Sequence, residues 1–283
     1  MLSVESEKNV ASTNISVEKR TKQITVARFA FSANVLPSVT KSLPFTELVR
    51  RALISSRVSN EHSEVICGKL KDGTPLENHQ HAHYIATSEN SDNAGQIDYL
   101  TIYAPRGFSA DDVAALGDMP PIKWRASRTN IRLILTGLGE ADDFAAEDKK
   151  IALFQKATTL RSVTPFSLPY FPTRGGGKSA RPKDSPEGQL RRELRKRGLP
   201  EPVRVTTTKG FFETLAPIEN VAEEPPRFRW LEFSARRFNG SAGNGLAGFE
   251  IEFAAEDLEK INQPLALGFG CHFGLDLFLP VIE

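Results

Sequence analysis

Asn78-His79-Gln80-His81-Ala82-His83-Tyr84 carries three of the chain's five histidines, at every second position. A β-strand points successive side chains to opposite faces. The spacing therefore predicts a strand with His79, His81 and His83 on one face and Gln80, Ala82 and Tyr84 on the other. Imidazoles in a row can bind a metal, transfer protons or contact phosphate. The rest of the sequence has to separate these uses.

Upstream, residues 23–35 (QITVARFAFSANV) are rich in β-branched and aromatic types and predict a strand. Pro44 opens a helical segment with Ser42 as its cap. Phe45, Leu48, Val49, Ala52 and Leu53 give that helix one buried face. Residues 64–67 predict a short strand, ended by the turn Lys71-Asp72-Gly73-Thr74-Pro75. Downstream, residues 97–104 predict a strand. Ser109 caps a short helix that Gly117 stops. Residues 131–136 predict another strand, with Ile131, Leu133 and Leu135 alternating. If residues 64–67 and the histidine strand form one broken edge or hairpin, the order is close to β-α-β-β-α-β, the ferredoxin-like signature.

The second half reads as a distorted repeat of the first. Residues 159–166 predict a strand. Ser185-Pro186-Glu187 supplies a cap, a first-turn proline and a first-turn acid for a helix that ends at Gly198. Residues 203–208, 228–233 and 249–253 predict further strands, the last with Phe249, Ile251 and Phe253 facing one way. Residues 265–279 are apolar and broken by Gly268, Gly270 and Gly274. The expected organisation is a loose tail over residues 1–22, a first domain over 23–155 and a second over 156–283.

At 283 residues, with 40% hydrophobic and 25% charged residues, the composition is that of a folded soluble protein. Cys67 and Cys271 are too few for a disulfide framework and fit a reducing compartment. No apolar run is long enough to span a bilayer, and the polar start lacks the apolar centre of a signal peptide. A cytoplasmic location with no membrane partner is expected.

The net charge is only +1, but it is unevenly spread. Residues 174–204 hold ten Lys or Arg against four acids. In the helix, Leu190 and Leu194 form the buried face, which leaves Arg191, Arg192, Arg195, Lys196 and Arg197 largely exposed. Such a patch is either a footprint for a phosphate backbone or a solvated helix face.

The candidate chemistries separate as follows. A tight metal site adds a carboxylate or thiolate to imidazole, and no nearby residue clearly supplies one. Proton transfer suits imidazole best, because its pKa lies near neutrality. Arg174-Gly-Gly-Gly-Lys178-Ser179 resembles the end of a phosphate-binding P-loop. It fails, because Pro172 replaces the first glycine and Ala180-Arg181-Pro182 cannot open the required helix. The C-terminal glycines either admit a phosphate to the backbone or make tight β turns. Cys271 beside His272 reads as a buried cysteine rather than a nucleophile.

Several blocks resemble one known family. Residues 78–84 and 95–105 (GQIDYLTIYAP) are similar to its His-x-His-Ala-x-Tyr block and following strand. Residues 162–166 (SVTPF), 189–200 (QLRRELRKRGLP) and 267–278 (LGFGCHFGLDLF) resemble three more. The family is the type I-U, or I-G, CRISPR-associated protein of the RAMP superfamily. In it a repeat-RNA endonuclease is usually fused to a backbone subunit of the surveillance complex.

The resemblance implies an α+β fold of two tandem ferredoxin-like, RRM-like domains with antiparallel sheets. It implies an endoribonuclease that cuts CRISPR precursor RNA within its repeats and needs no metal or other cofactor. The products are a mature guide RNA with a 2′,3′-cyclic phosphate and a 5′-hydroxyl. On this reading His81 is base or acid, His79 is its partner and His83 ranks third. Arg174, Lys178, Arg181, Lys183, Arg191, Arg192, Arg195 and Lys196 grip RNA, with Gly268, Gly270, His272 and Gly274 beside it. Asp276 departs from the pattern, standing where a glycine is expected.

The chain is short for the family, so it is expected to be a stand-alone nuclease or a nuclease half whose partner is a separate chain. Its partners would be precursor and guide RNA and other subunits of a type I complex. The alternatives are a non-catalytic guide-RNA-binding subunit and a histidine-ligated metal hydrolase.

Overall fold

The computed structural model describes residues 23–56, 62–124, 128–146, 151–172, 182–208, 211–212 and 228–281. The first half contains β1 (Val26–Ser32), α1 (Ser42–Ser56), α2 (Glu64–Cys67), β2 (His83–Thr87), β3 (Tyr99–Tyr103), α3 (Ala110–Gly117), β4 (Ile122–Trp124), β5 (Thr129–Gly139) and α4 (Ala141–Ala145). Its sheet runs β2-β3-β1-β5-β4 with every neighbouring pair antiparallel. Without the edge strand β4, this is the strand order of a β-α-β-β-α-β ferredoxin-like unit.

The second half contains β6 (Thr159–Ser162), β7 (Phe166–Ser167), α5 (Pro186–Lys196), β8 (Arg204–Thr207), β9 (Phe211–Phe212), β10 (Phe228–Arg229), β11 (Leu246–Ala247), β12 (Phe249–Glu252), β13 (Leu265–Ala266) and β14 (Leu277–Pro280). Its main sheet runs β13-β14-β6-β12-β8 and is likewise antiparallel. The order matches the first sheet, with the short 3-10 segment Ala255–Lys260 in place of the second helix. An extra edge strand flanks the last strand in both sheets, β4 beside β5 and β13 beside β14. The chain is thus two tandem ferredoxin-like units.

The predicted helix faces and strand alternation appear where periodicity is strongest. Phe45, Val49 and Leu53 of α1 are fully buried, as are Leu190 and Leu194 of α5. Phe249, Ile251 and Phe253 are buried and their neighbours Glu250 and Glu252 are not.

Local chemistry overrides the pattern at four places. Residues 64–67 form a helix, because Ser63 caps it by accepting from Ile66 N and Gly68 ends it at φ +68°. The histidine strand begins only at His83. Asn78 and His79 sit at φ +58° and +53°, a left-handed turn that no strand accommodates. The cap of the α1 segment is Ser38, which receives Thr40 N at the head of a 3-10 turn. Ser42 instead donates to Val39 O at 2.6 Å. Residues 230–232 form a 3-10 turn rather than continuing a strand.

The two units meet along β2. Tyr84 N donates to His272 O at 3.2 Å, and Tyr84 bridges Phe273 in parallel. This contact covers the free edge of β2, all five of whose residues are buried. Glu47 of α1, 7% exposed, accepts from Arg237 Nε at 2.8 Å and Phe238 N at 2.7 Å. Gly274, at φ +74°, lets the C-terminal loop press on α1. A Cβ there would stand 3.1 Å from Thr46 Cγ2 and 3.2 Å from Ser42 Cβ. Gly274→Ala therefore combines a left-handed penalty with a forced contact. It should lower unfolding free energy by about 1–2 kcal/mol in urea titration, and unchanged stability would contradict the close approach.

Candidate active site

Three pieces of chain converge beside the junction: the turn before β2, the C-terminal end of α5 and the loop between β13 and β14. They bring together four of the five histidines. His79 Nδ1 and His272 Nε2 are 2.9 Å apart, and His272 Nδ1 lies 3.2 Å from Ala82 O. The His81 ring stacks on His272 with centroids 3.5 Å apart, and His83 lies against it at 4.0 Å. His83 Nδ1 is 3.1 Å from Cys271 O. The fifth, His62, is elsewhere, with Nε2 2.6 Å from Lys69 O.

A strand-face row is thus not what gathers the imidazoles. The left-handed turn swings His79 round, and the C-terminal loop inserts His272 between the others. Gly68 makes room, because a Cβ on it would stand 2.7 Å from His81 Cδ2.

Burial sets the electrostatics. It pushes His81 and His272 down to about 3, with the neighbouring imidazoles adding to the effect. Burial, with His272 beside it, drives His83 well below the ordinary range. These three rings are neutral near neutral pH. A carbonyl accepts only, so His272 Nδ1 must carry the proton and donate to Ala82. His272 Nε2 then holds a lone pair and accepts from His79 Nδ1–H. In the neutral His79 ring this leaves the lone pair on Nε2.

Two further groups join the cluster. Cys271 Sγ lies 3.8 Å from His79 Nδ1 and 3.3 Å from Arg197 Nη2. Burial pushes this thiol up, but His79 and Arg197 together bring it below its ordinary value. Arg197 also donates to Ala266 O at 2.6 Å. Sequence reading treated Arg197 as one of several exposed cations and Cys271 as packing alone. The available signal was position: Arg197 caps α5 immediately before Gly198, which turns at φ +67°.

A cleft of about 710 Å³ opens on this corner, walled by His79, His83 and Tyr103 on one side and by Lys196 and Arg197 on the other. His81 is not part of its wall. Of the other expected contacts, Arg191 is held by Glu187 and Glu201 at 2.9 and 2.7 Å, and its side chain is 25% exposed. Arg192 donates to Lys183 O at 2.8 Å and lies over the Tyr170 ring. These two cations brace the helix rather than standing free on it. Lys183, Arg195 and Lys196 are exposed. Arg174, Lys178 and Arg181 lie outside the described residues.

Gly268, Gly270 and Gly274 are buried and stand close against internal groups. Gly268 and Gly270 face the Asp276 carboxyl, which accepts from Ser167 N and Gly270 N. Asp276 adopts φ +65°, which explains why a glycine suits this position, and burial raises its pKa well above the usual carboxylate range.

The architecture and the site together define a tandem ferredoxin-like protein with a histidine cluster at the junction of its two units. No protein-family model and no curated protein matches the chain. Solved structures similar to it include a Cas6-related gene product from Pyrococcus furiosus, with 13% identity, a TM-score of 0.42 and coverage of 92% of this chain and 99% of that one. A Cas6 product complex is similar at 15% identity and TM-score 0.39, covering 92% and 100%. A RAMP protein binding different RNA substrates is similar at 12% identity and TM-score 0.42, covering 91% and 100%. Among the described residues no helix is long and apolar enough to cross a membrane.

The buried imidazoles make stability depend on pH. His81 and His272 titrate at about 3 when folded, against an ordinary 6.5. Below the ordinary value the unfolded chain binds protons that the folded chain refuses. Their contribution is present above about 6.5 and is lost as pH falls toward about 3. Urea unfolding at about pH 7 and about pH 5 should show a loss on the order of 1–2 kcal/mol per ring. His272→Gln should flatten the slope, and an unchanged slope would mean that the ring takes up protons in the fold as it does in the unfolded chain.

Proposed function

We propose that the chain is an endoribonuclease that cuts CRISPR precursor RNA within its repeats, of the type I-U (I-G) kind its motifs resemble. The observation that carries this reading is His79, which lines the cleft together with Lys196 and Arg197 and is hydrogen-bonded behind the wall to His272 at 2.9 Å. His272 fixes the tautomer of His79 and directs its lone pair to Nε2. That nitrogen takes the proton of a ribose 2′-hydroxyl, and the 2′ oxygen attacks the adjacent phosphorus. Lys196 and Arg197 stabilise the charge that develops on the phosphate oxygens. The protonated His79 then returns the proton to the departing 5′ oxygen. The products are a 2′,3′-cyclic phosphate and a 5′-hydroxyl, and no metal enters the cycle.

This assignment makes His79 the leading residue in place of His81, which stacks on His272 and does not wall the cleft. His81 and His83 act as positioning residues around His272. The exposed cations Lys183 and Arg195 extend the positive surface along which a phosphate backbone would lie.

The test is incubation of the full chain with labelled cognate repeat RNA in EDTA, with products mapped at nucleotide resolution. A single cut leaving a cyclic phosphate is expected. His79→Ala should slow cleavage on the order of 10²–10⁴-fold with RNA binding retained. Tight binding by the wild-type chain without any cut would instead make it an RNA-binding subunit. Full activity in His79→Ala would overturn the assignment of the base.

A further inference from the structure

Proton transfer leaves Cys271 without a part, although its sulfur sits within the histidine cluster. One ligand atom from each of His79, His272 and Cys271 lies within 4.8 Å of the other two; His79 Nδ1 and His272 Nε2 are 2.9 Å apart, and Cys271 Sγ is 3.8 Å from His79 Nδ1. We propose that these three side chains bind Zn²⁺ or a similar borderline-soft divalent ion, and that occupancy switches the histidine site off.

The spacing suits the ion. Zinc–nitrogen bonds of about 2.0–2.1 Å and a zinc–sulfur bond of about 2.3 Å place neighbouring tetrahedral ligands about 3.3 Å (N–N) and about 3.6 Å (N–S) apart. Two of the three edges are already within half an ångström or so of those values. The third, from Cys271 to His272, is at most 4.8 Å and has to close by up to about 1.2 Å.

The surroundings suit it as well. His272 Nδ1 donates to Ala82 O, the outer hydrogen bond that typically orients a metal-binding imidazole and leaves Nε2 to the ion. Arg197 Nη2, 3.3 Å from Sγ, stabilises negative charge on the sulfur. Two imidazoles and a thiolate select against Mg²⁺ and Ca²⁺, which prefer oxygen. Three protein ligands leave a fourth position for water.

Binding is balanced in protons. The Cys271 thiol gives its proton to solvent as the sulfur–metal bond forms. The His79 proton moves through water from Nδ1 to Nε2 as Nδ1 takes the ion. On the cleavage reading above, that shift removes the lone pair that accepts the 2′-hydroxyl proton. Inhibition therefore rests on that reading, whereas ion binding does not.

The experiment is titration of the full chain with Co²⁺, followed by absorbance. A thiolate-to-cobalt charge-transfer band should appear, persist in Cys67→Ser, vanish in a folded Cys271→Ser variant and be displaced by stoichiometric Zn²⁺. Mg²⁺ should not displace it. Absence of the band, or its survival in Cys271→Ser, overturns the site. In the cleavage assay Zn²⁺ should slow the reaction and EDTA restore it. Sensitivity to Zn²⁺ in Cys271→Ser, scaled to that variant's own rate, should fall at least about tenfold. A cobalt band with undiminished cleavage in Zn²⁺ overturns the inhibitory role alone. A chain that cuts no RNA overturns the nuclease reading and leaves the spectrum to decide the ion site.

Discussion

The carboxyl of Asp276 is the constraint on which the site depends. It is fully buried, and its two oxygens accept the backbone N–H groups of Ser167 and Gly270. Burying a polar group without partners is costly, so these bonds fix where the loop can run. The main chain closes the same loop: Leu267 N donates to Asp276 O at 2.9 Å, and Asp276 N to Pro165 O at 3.1 Å. Cβ atoms on Gly268 and Gly270 would stand 2.5 and 3.0 Å from the carboxylate oxygens. The glycines and the aspartate are therefore one device. It holds Cys271 and His272 at the tip and presents them to β2.

Much of the fold was legible because burial follows period. The faces of α1 and α5 and the alternation in β5 and β12 are set by apolar spacing, and those elements stand where that spacing puts them. Short segments were not legible on the same ground. Glu64–Cys67 is apolar enough for a strand, but its ends are capped as a helix, and four residues are too few for period to decide. The histidine row misled for another reason. Regular spacing at 79, 81 and 83 suggested a strand, whereas two consecutive left-handed residues turn the chain there. The three imidazoles do meet, through a partner almost two hundred residues away. That partner, His272, stands in the glycine-rich block whose family resemblance implies RNA contact, and nothing local in the sequence links it to the row at 79–83. Arg197 was hidden among like charges, since sequence cannot say which cation of a run points inward.

Charge on α5 shows the same limit in energetic form. A run of cations looks like a free electrostatic surface, yet several have anionic or carbonyl partners within bonding distance. Arg191 is shared between Glu187 and Glu201, Lys196 is 3.1 Å from Glu193, and Arg192 is tied to the backbone of Lys183. Exposed pairs of this kind contribute little to stability. They do lower the positive potential that a polyanion would meet. The positive surface is therefore smaller than the composition suggests, although Lys196 and Arg197 still border the cleft.

The His79–His272 hydrogen bond spans 193 residues of sequence. Contacts of such separation require closing a long loop before any reward is gained, and they tend to form late. The corner is completed only when the β13–β14 loop has docked on β2, by which time the first sheet can already be in place. During synthesis the His79–His272 contact consequently cannot form until ribosomes have translated past residue 272. A polypeptide released early would contain every strand of the first sheet and lack His272.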